Sequence, residues 1–275
     1  MRQRRILFVV EGDKAEPKLL RSIFRAYDID SQREVVSYRT NVHVLLNELN
    51  KCADETKEGI DALSPGEIEL LPFLISREHD KKKRDQLSGK YTDIILVFDY
   101  EPQDPNFDSK GLAHMLSLFS ESTDNGKLYI NYPMLESYRD MQEPPDVDFL
   151  TRTMLTNECN QYKKLVGKRG RFRKIEASEK ERLSWVVKMT VMKVLALSGL
   201  LELAPSFGDG CQIVETHHAE AKLLDIQNAL SRERGEVYVC CTALLFVSEN
   251  WPSKVLEGPM LPTPTCWDEK GLLSQ

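Results

Sequence analysis

The sequence lacks the marks of several large protein classes. Six cysteines occur in 275 residues, at Cys52, Cys159, Cys211, Cys240, Cys241 and Cys266, with no C-x-x-C pair among them. That spacing excludes a zinc knuckle or a disulfide framework and leaves reduced thiols as the expectation. Gly (14) and Pro (13) are too sparse for a fibrous or low-complexity chain, and no internal repeat is visible. Long apolar runs are absent: Val186 to Leu203 is broken by Lys188, Lys193 and Glu202, and Ile6 to Val10 stops at Glu11. Neither meets the ~20 apolar residues of a membrane span, and the second is too short for a signal peptide, so the expected setting is cytoplasmic with no membrane partner. A positive excess is missing too, since 37 Lys and Arg stand against 43 Asp and Glu, a net charge of -6. This rules out a uniformly basic nucleic-acid coat but leaves room for a local basic patch. What remains, 41% hydrophobic and 29% charged, is the composition of an ordinary globular chain with one large or two modest domains.

The hydrophobic pattern reads first as alternating strands and helices. Ile6 to Val10 is a continuous run suited to a strand buried on both faces. Pro17 then opens a helix striped by Leu20, Ile23, Phe24 and Tyr27. Val35 to Tyr38 predicts a second strand, and Val42, Leu45, Leu46 and Leu49 a second helix. The charged run Arg77 to Asp85 reads as a loop. Ile94 to Phe98 is the clearest strand, followed by a helix from Ser109 and a fourth strand at Leu128 to Ile130. From about residue 145 the pattern turns helical without clear strands. Ser178 and Glu181 form a capping box for a helix reaching about Leu203, and His217 to Arg234 predicts another, stopped by Gly235. Glu236 to Val247 is ambiguous between strand and buried helix, and the proline-rich end beyond Pro252 reads as a surface tail. The expectation is an α/β fold, a mostly parallel Rossmann-like sheet flanked by helices over 1–144, with a mainly helical region over 145–275.

Three of the strands end in acids: Glu11 after the first, Asp99 and Glu101 after the central one, and Glu136 beyond the last. In open parallel sheets, ligands gather outside the carboxyl ends of the strands. Carboxylates converging there repel one another unless a cation intervenes, and Mg²⁺ takes oxygen ligands of this kind. A single acid at a strand end is usually a solvated loop residue; the recurrence carries the argument for a magnesium site.

Ile6 to Gly12, a hydrophobic run closed by Glu-Gly, followed by Ile94 to Glu101, a hydrophobic run closed by Asp-x-acid, resembles the Toprim domain of topoisomerases, bacterial primases and OLD-family nucleases. Within that group, Val10-Glu11-Gly12-Asp13-Lys14-Ala15-Glu16-Pro17 is similar to the opening of RloB-like proteins, and the chain as a whole resembles the Toprim effector of the PARIS anti-phage system. Asn131 to Glu136 resembles their later Asn-Pro…Glu segment. The central motif reads Asp99-Tyr100-Glu101 where the family usually has Asp-x-Asp, and Asp104 is an alternative second ligand. The resemblance implies that Asp99 and Glu101 hold Mg²⁺ or Mn²⁺, with Glu11 as general base or further ligand and Glu136 completing the cluster. It also implies endonucleolytic hydrolysis of DNA or RNA phosphodiesters, with tRNA as one candidate substrate. The setting it implies is a toxic effector of bacterial anti-phage defence, controlled by an ABC- or AAA-type ATPase partner.

Substrate contacts are expected from local basicity. Lys163, Lys164, Lys168, Arg169, Arg171, Arg173 and Lys174 occupy a twelve-residue stretch without an acid, in which Gly167 and Gly170 favour flexibility and Phe172 offers a stacking surface. The same stretch also reads as a loop whose charge confers solubility. Lys14 is the nearest lysine to the first acid and a candidate for transition-state charge stabilisation, whereas Lys81 to Arg84 reads as a solvated turn. Glu215 to Glu220, with His217 and His218, lacks zinc-ligand spacing. The alternatives to the nuclease are a non-catalytic Toprim-like nucleic-acid-binding or regulatory module, motivated by Glu101 in place of Asp, and a primase-type nucleotidyl transfer. A homodimer through the apolar helices of the C-terminal region is a further expectation.

Overall fold

In the computed structural model, described over residues 4–55, 69–170 and 180–257, the chain is α/β with a five-stranded, mostly parallel sheet flanked by helices and a helical C-terminal part. It divides into two compact units. The first comprises Met1–Pro17, Asp30–Asp99 and Asp104–Tyr129, and the second Lys18–Ile29, Tyr100–Gln103 and Ile130–Gln275. Residue 144, where the sequence suggests a boundary, falls inside the second unit.

The first unit is built on β1 (Arg5–Val10), whose residues Ile6 to Val10 are all fully buried. A strand sandwiched on both faces needs an unbroken apolar run rather than alternation. Helix α1 (Ala15–Ala26) follows, then β2 (Gln32–Ser37), α2 (Val42–Glu55), α3 (Leu70–Arg77), α4 (Lys81–Leu87), β3 (Asp93–Asp99), α5 (Ser109–Leu118), β4 (Ser120–Glu121) and β5 (Gly126–Asn131). The strand order is β2-β1-β3-β5-β4. β1 pairs in parallel with β2, Val10 opposite Ser37, and with β3, Val10 opposite Val97; β4 and β5 are antiparallel. Arg4 and Asp93 pin the amino ends of β1 and β3 with two hydrogen bonds of 2.7 and 2.5 Å. The carboxyl ends of β1, β2 and β3 therefore finish together, at Glu11, Ser37 and Asp99.

The charged run 77–85 is not a loop. Asp80 caps α4 by accepting the Lys83 backbone N–H at 3.2 Å, and Leu87 is buried at its far end. Lys83 is mostly covered: its Nζ donates to the Ser37 carbonyl and pairs with Glu78 at 3.8 Å. A row of like charges conceals the single apolar anchor and the cap that make this helix.

The second unit contains β6 (Thr153–Leu155), α6 (Tyr162–Arg169), α7 (Lys180–Leu197), α8 (Phe207–Thr216), α9 (Ala219–Arg234), β7 (Glu236–Tyr238), α10 (Leu245–Asn250) and α11 (Pro252–Leu256), with several 3-10 turns. Contrary to the strandless expectation, β6 and β7 form an antiparallel pair. The ambiguous stretch Glu236 to Val247 holds both readings, strand first and helix after. α7 stops at Leu197 instead of Leu203 because Gly199 takes φ +66 and Leu200 donates its N–H back to the Leu195 carbonyl at 2.8 Å, a Schellman closure. Gly235, at φ +64, ends α9 as expected, but that helix begins at Ala219 because His218 is left-handed. Ser178 and the tail beyond residue 257 lie outside the described residues, while Pro252 heads a helix rather than a tail. α7 is the spine of this unit: Trp185, Met189 and Met192 are buried, and Lys188 and Lys193 are buried with them. Among the described residues no helix is long and apolar enough to cross a membrane.

The basic stretch from Lys163 is helical up to Arg169. Gly170 is there for proximity rather than flexibility, since a Cβ at that position would stand 2.0 Å from the Arg139 carbonyl oxygen. Gly170→Ala should cost about 3 kcal/mol, the order seen when a close-packed site is overfilled. A Cβ at Gly167 would meet nothing within 4 Å, so Gly167→Ala should be neutral or gain up to about 1 kcal/mol of helix propensity. Urea denaturation of the two variants side by side checks the contrast; equal midpoints would refute the close approach.

Candidate active site

At the carboxyl end of the sheet in the first unit, parallel register brings two acids together. The Glu11 N–H continues the ladder to the Val97 carbonyl at 3.2 Å. Its side chain then reaches across, Oε2 accepting the Asp99 backbone N–H at 3.2 Å. Both residues are half-buried. Gly12, next in sequence, donates its N–H to Glu16 Oε1 at 3.0 Å, and Glu16 is itself buried. A Cβ at Gly12 would lie 2.8 Å from Glu16 Oε2, so the glycine after Glu11 lets a second carboxylate fold over the turn. Glu16 is a buried acid that the strand-end pattern does not single out, because it sits in the first turn of a helix where acids are common.

Around this pair, Asp13 is held by Arg39, with Nε 3.1 Å from Oδ1 and 2.9 Å from Oδ2. That hydrogen bond keeps the Asp13 carboxyl below the ordinary carboxylate range. Asp104 accepts from Asn41 Nδ2 and from the Asn106 N–H, both at 2.7 Å. Burial pushes its pKa up, but these bonds outweigh burial and hold it below the usual value. Its oxygens thus already have donors. Lys14 is exposed.

The remaining expected acids belong to the second unit. Glu101 is half-buried in a left-handed conformation, φ +41, directly after Tyr100, whose buried ring sends its hydroxyl to Asn228 Oδ1 at 2.6 Å. Glu136 lies buried in the 3-10 turn Leu135–Asp140 and is ion-paired with Lys163. One turn on, the fully buried Asp140 takes two hydrogen bonds from Arg169, at 2.8 and 2.6 Å, and one from the Tyr162 hydroxyl at 3.0 Å. Two cations expected to meet nucleic acid, Lys163 and Arg169, therefore carry carboxylate partners within the fold. Lys164 and Lys168 are exposed on α6, and Arg171, Arg173 and Lys174 lie outside the described residues.

No family model, curated protein or solved structure matches this chain.

Among the described residues, no group of three or more His, Cys, Asp and Glu side chains is arranged to hold a metal ion. Of the expected four-acid set, Glu11, Asp99 and Asp104 belong to the first unit and Glu101 to the second. Glu11 and Asp99 bring two carboxylate-bearing residues to neighbouring strand ends that could hold an ion. Mg²⁺ dehydrates reluctantly and is commonly held through one or two carboxylates, with water and substrate phosphate completing its octahedron. Two hard oxygen donors at the open ends of adjacent strands suit that ion, or Mn²⁺, better than zinc, which favours closed nitrogen and sulfur sets.

Proposed function

We propose that the chain is a metal-dependent Toprim-type endonuclease that hydrolyses nucleic-acid phosphodiesters at the Glu11–Asp99 pair. The observation carrying this reading is the 3.2 Å contact between the Glu11 carboxylate and the Asp99 backbone, which joins the two motifs the sequence resemblance rests on. A magnesium ion held by Glu11 and Asp99 would supply Lewis-acid stabilisation of charge on the phosphoryl oxygens. The Asp99 N–H orients the Glu11 carboxylate, which acts as general base toward an attacking water or as a further ligand. The Glu16 carboxylate, tied to Gly12 N–H, keeps the turn after Glu11 closed. Glu101 and Glu136 are assigned to the site by resemblance alone, as are the defence role, the restraining ATPase and the choice of tRNA.

The second reading, a Toprim-like binding or regulatory module without catalysis, is favoured by Glu101, which stands where the family usually has aspartate and takes a left-handed backbone. End-labelled DNA and RNA incubated with the full chain and Mg²⁺ or Mn²⁺, with and without any candidate ATPase partner, separates the two. Fragments released by the wild type and not by Glu11→Gln support the enzyme. Equal behaviour of the two proteins supports the module.

A further inference from the structure

A phosphodiester approaching Glu11 and Asp99 meets two carboxylates, and a site of that kind needs a cation near it if a polyanion is to settle there. Arg39 is the cation tied to the Glu11 backbone. It stands two residues past the end of β2, and its backbone N–H donates to the Glu11 carbonyl at 3.1 Å. Its backbone is left-handed, φ +58, a conformation that costs a non-glycine residue about 1–2 kcal/mol and persists where the surroundings impose it. The Ser37 hydroxyl, which also donates to the Glu11 carbonyl at 3.2 Å, and Lys83, on the Ser37 carbonyl, fix the strand end from which Arg39 projects. The Arg39 side chain is 66% exposed and its guanidinium is aligned by Asp13, whose side chain is 45% exposed.

We propose that Arg39 is the phosphate-binding residue of this site, presenting its guanidinium to a non-bridging oxygen of the nucleic-acid backbone beside the Glu11–Asp99 pair. The inference rests on the nuclease reading and deepens it. Arginine offers a planar fork matched to two oxygens of one phosphate. An exposed ion pair such as Arg39–Asp13 contributes little net free energy in water, so exchanging the Asp13 carboxylate for a phosphate costs little, and Asp13 keeps the fork oriented meanwhile. Lys83 has a different part: only 16% exposed and turned to Ser37 and Glu78, it positions the strand end.

Binding is measured in the Glu11→Gln background, so that turnover does not interfere, by fluorescence anisotropy with labelled single-stranded 20-mers of DNA and of RNA from 50 to 200 mM salt. Adding Arg39→Gly should weaken binding of at least one probe about tenfold. It should also lower the slope of log affinity against log salt by about 0.7, the loss of one phosphate contact on a single strand. Glycine suits the left-handed backbone, so this variant should melt no lower than its parent, and loss of affinity is then not loss of fold. Unchanged affinity and slope overturn the proposal, as does a parent that binds neither probe. Failure of the nuclease reading shows separately, as a wild-type chain that binds through Arg39 and releases no fragments.

Discussion

Glu11→Gln should lower metal-dependent phosphodiester hydrolysis by about three orders of magnitude while changing folding stability by less than about 1 kcal/mol. The two effects separate because the glutamate has two roles. Oε2 accepts the Asp99 N–H, and the amide oxygen of glutamine can do the same at nearly the same length. The side chain as a whole loses the charge and the basicity that a proton or a divalent ion requires of it. Single-turnover cleavage together with thermal melting of both proteins checks the claim. A variant that cuts at the wild-type rate would remove Glu11 from the chemistry. One that fails to fold would show that the acid is structural; Glu11→Asp, shorter by one methylene, should then fail equally.

Lys193→Ala should cost about 3 kcal/mol at neutral pH, and Lys193→Met only about 1 kcal/mol. The side chain is fully buried in α7. Its Nζ donates to the carbonyls of Phe149 at 2.7 Å and Arg152 at 3.0 Å, and lies 4.5 Å from the centre of the Phe149 ring and 5.7 Å from that of Tyr238. Alanine empties this space. Methionine keeps the stem, and both carbonyls retain a second donor, Phe149 from the Arg152 N–H and Arg152 from the Val239 N–H. Burial pulls the ammonium down to about 7 from 10.5, and Arg152 adds to the pull, while Cys240, Asp140 and Asp146 oppose it. Between those two values the unfolded chain holds a proton that the folded chain does not, so wild-type stability should rise with pH across that window. Neither variant has this group, so the cost of Lys193→Met should be larger at pH 9.5 than at pH 7. Urea titrations at both pH values decide it; an unchanged difference would mean that the amine stays charged in the folded state.

The strands of the first unit were legible because β1 and β3 are buried on both faces and must be written as unbroken apolar runs. Their shared termination was legible too, because acids follow each run. The sequence did not reveal α4, where one aspartate cap and one leucine outweigh four successive cations. Nor did it reveal that Lys193, which interrupts an apolar stretch, is an interior residue, since its acceptors are backbone carbonyls more than forty positions away. The basic stretch from Lys163 was seen, but the partners of two of its cations, Glu136 and Asp140, were not: composition records charge and not pairing. Arg39 carried no signal, because its distinction is a backbone angle and a bond to Glu11 rather than a motif.

Helix α1 belongs to both units, and its later residues work far along the chain. The Tyr27 hydroxyl lies 3.1 Å from that of Ser184, and Phe24 packs edge-on against Trp251, ring centres 6.0 Å apart. A fragment starting at residue 130 would leave these aromatic neighbours facing solvent. Severing the polypeptide near residue 144 should therefore yield no autonomous C-terminal piece, and refolding should be slow, because closure must await the meeting of segments more than 150 positions apart.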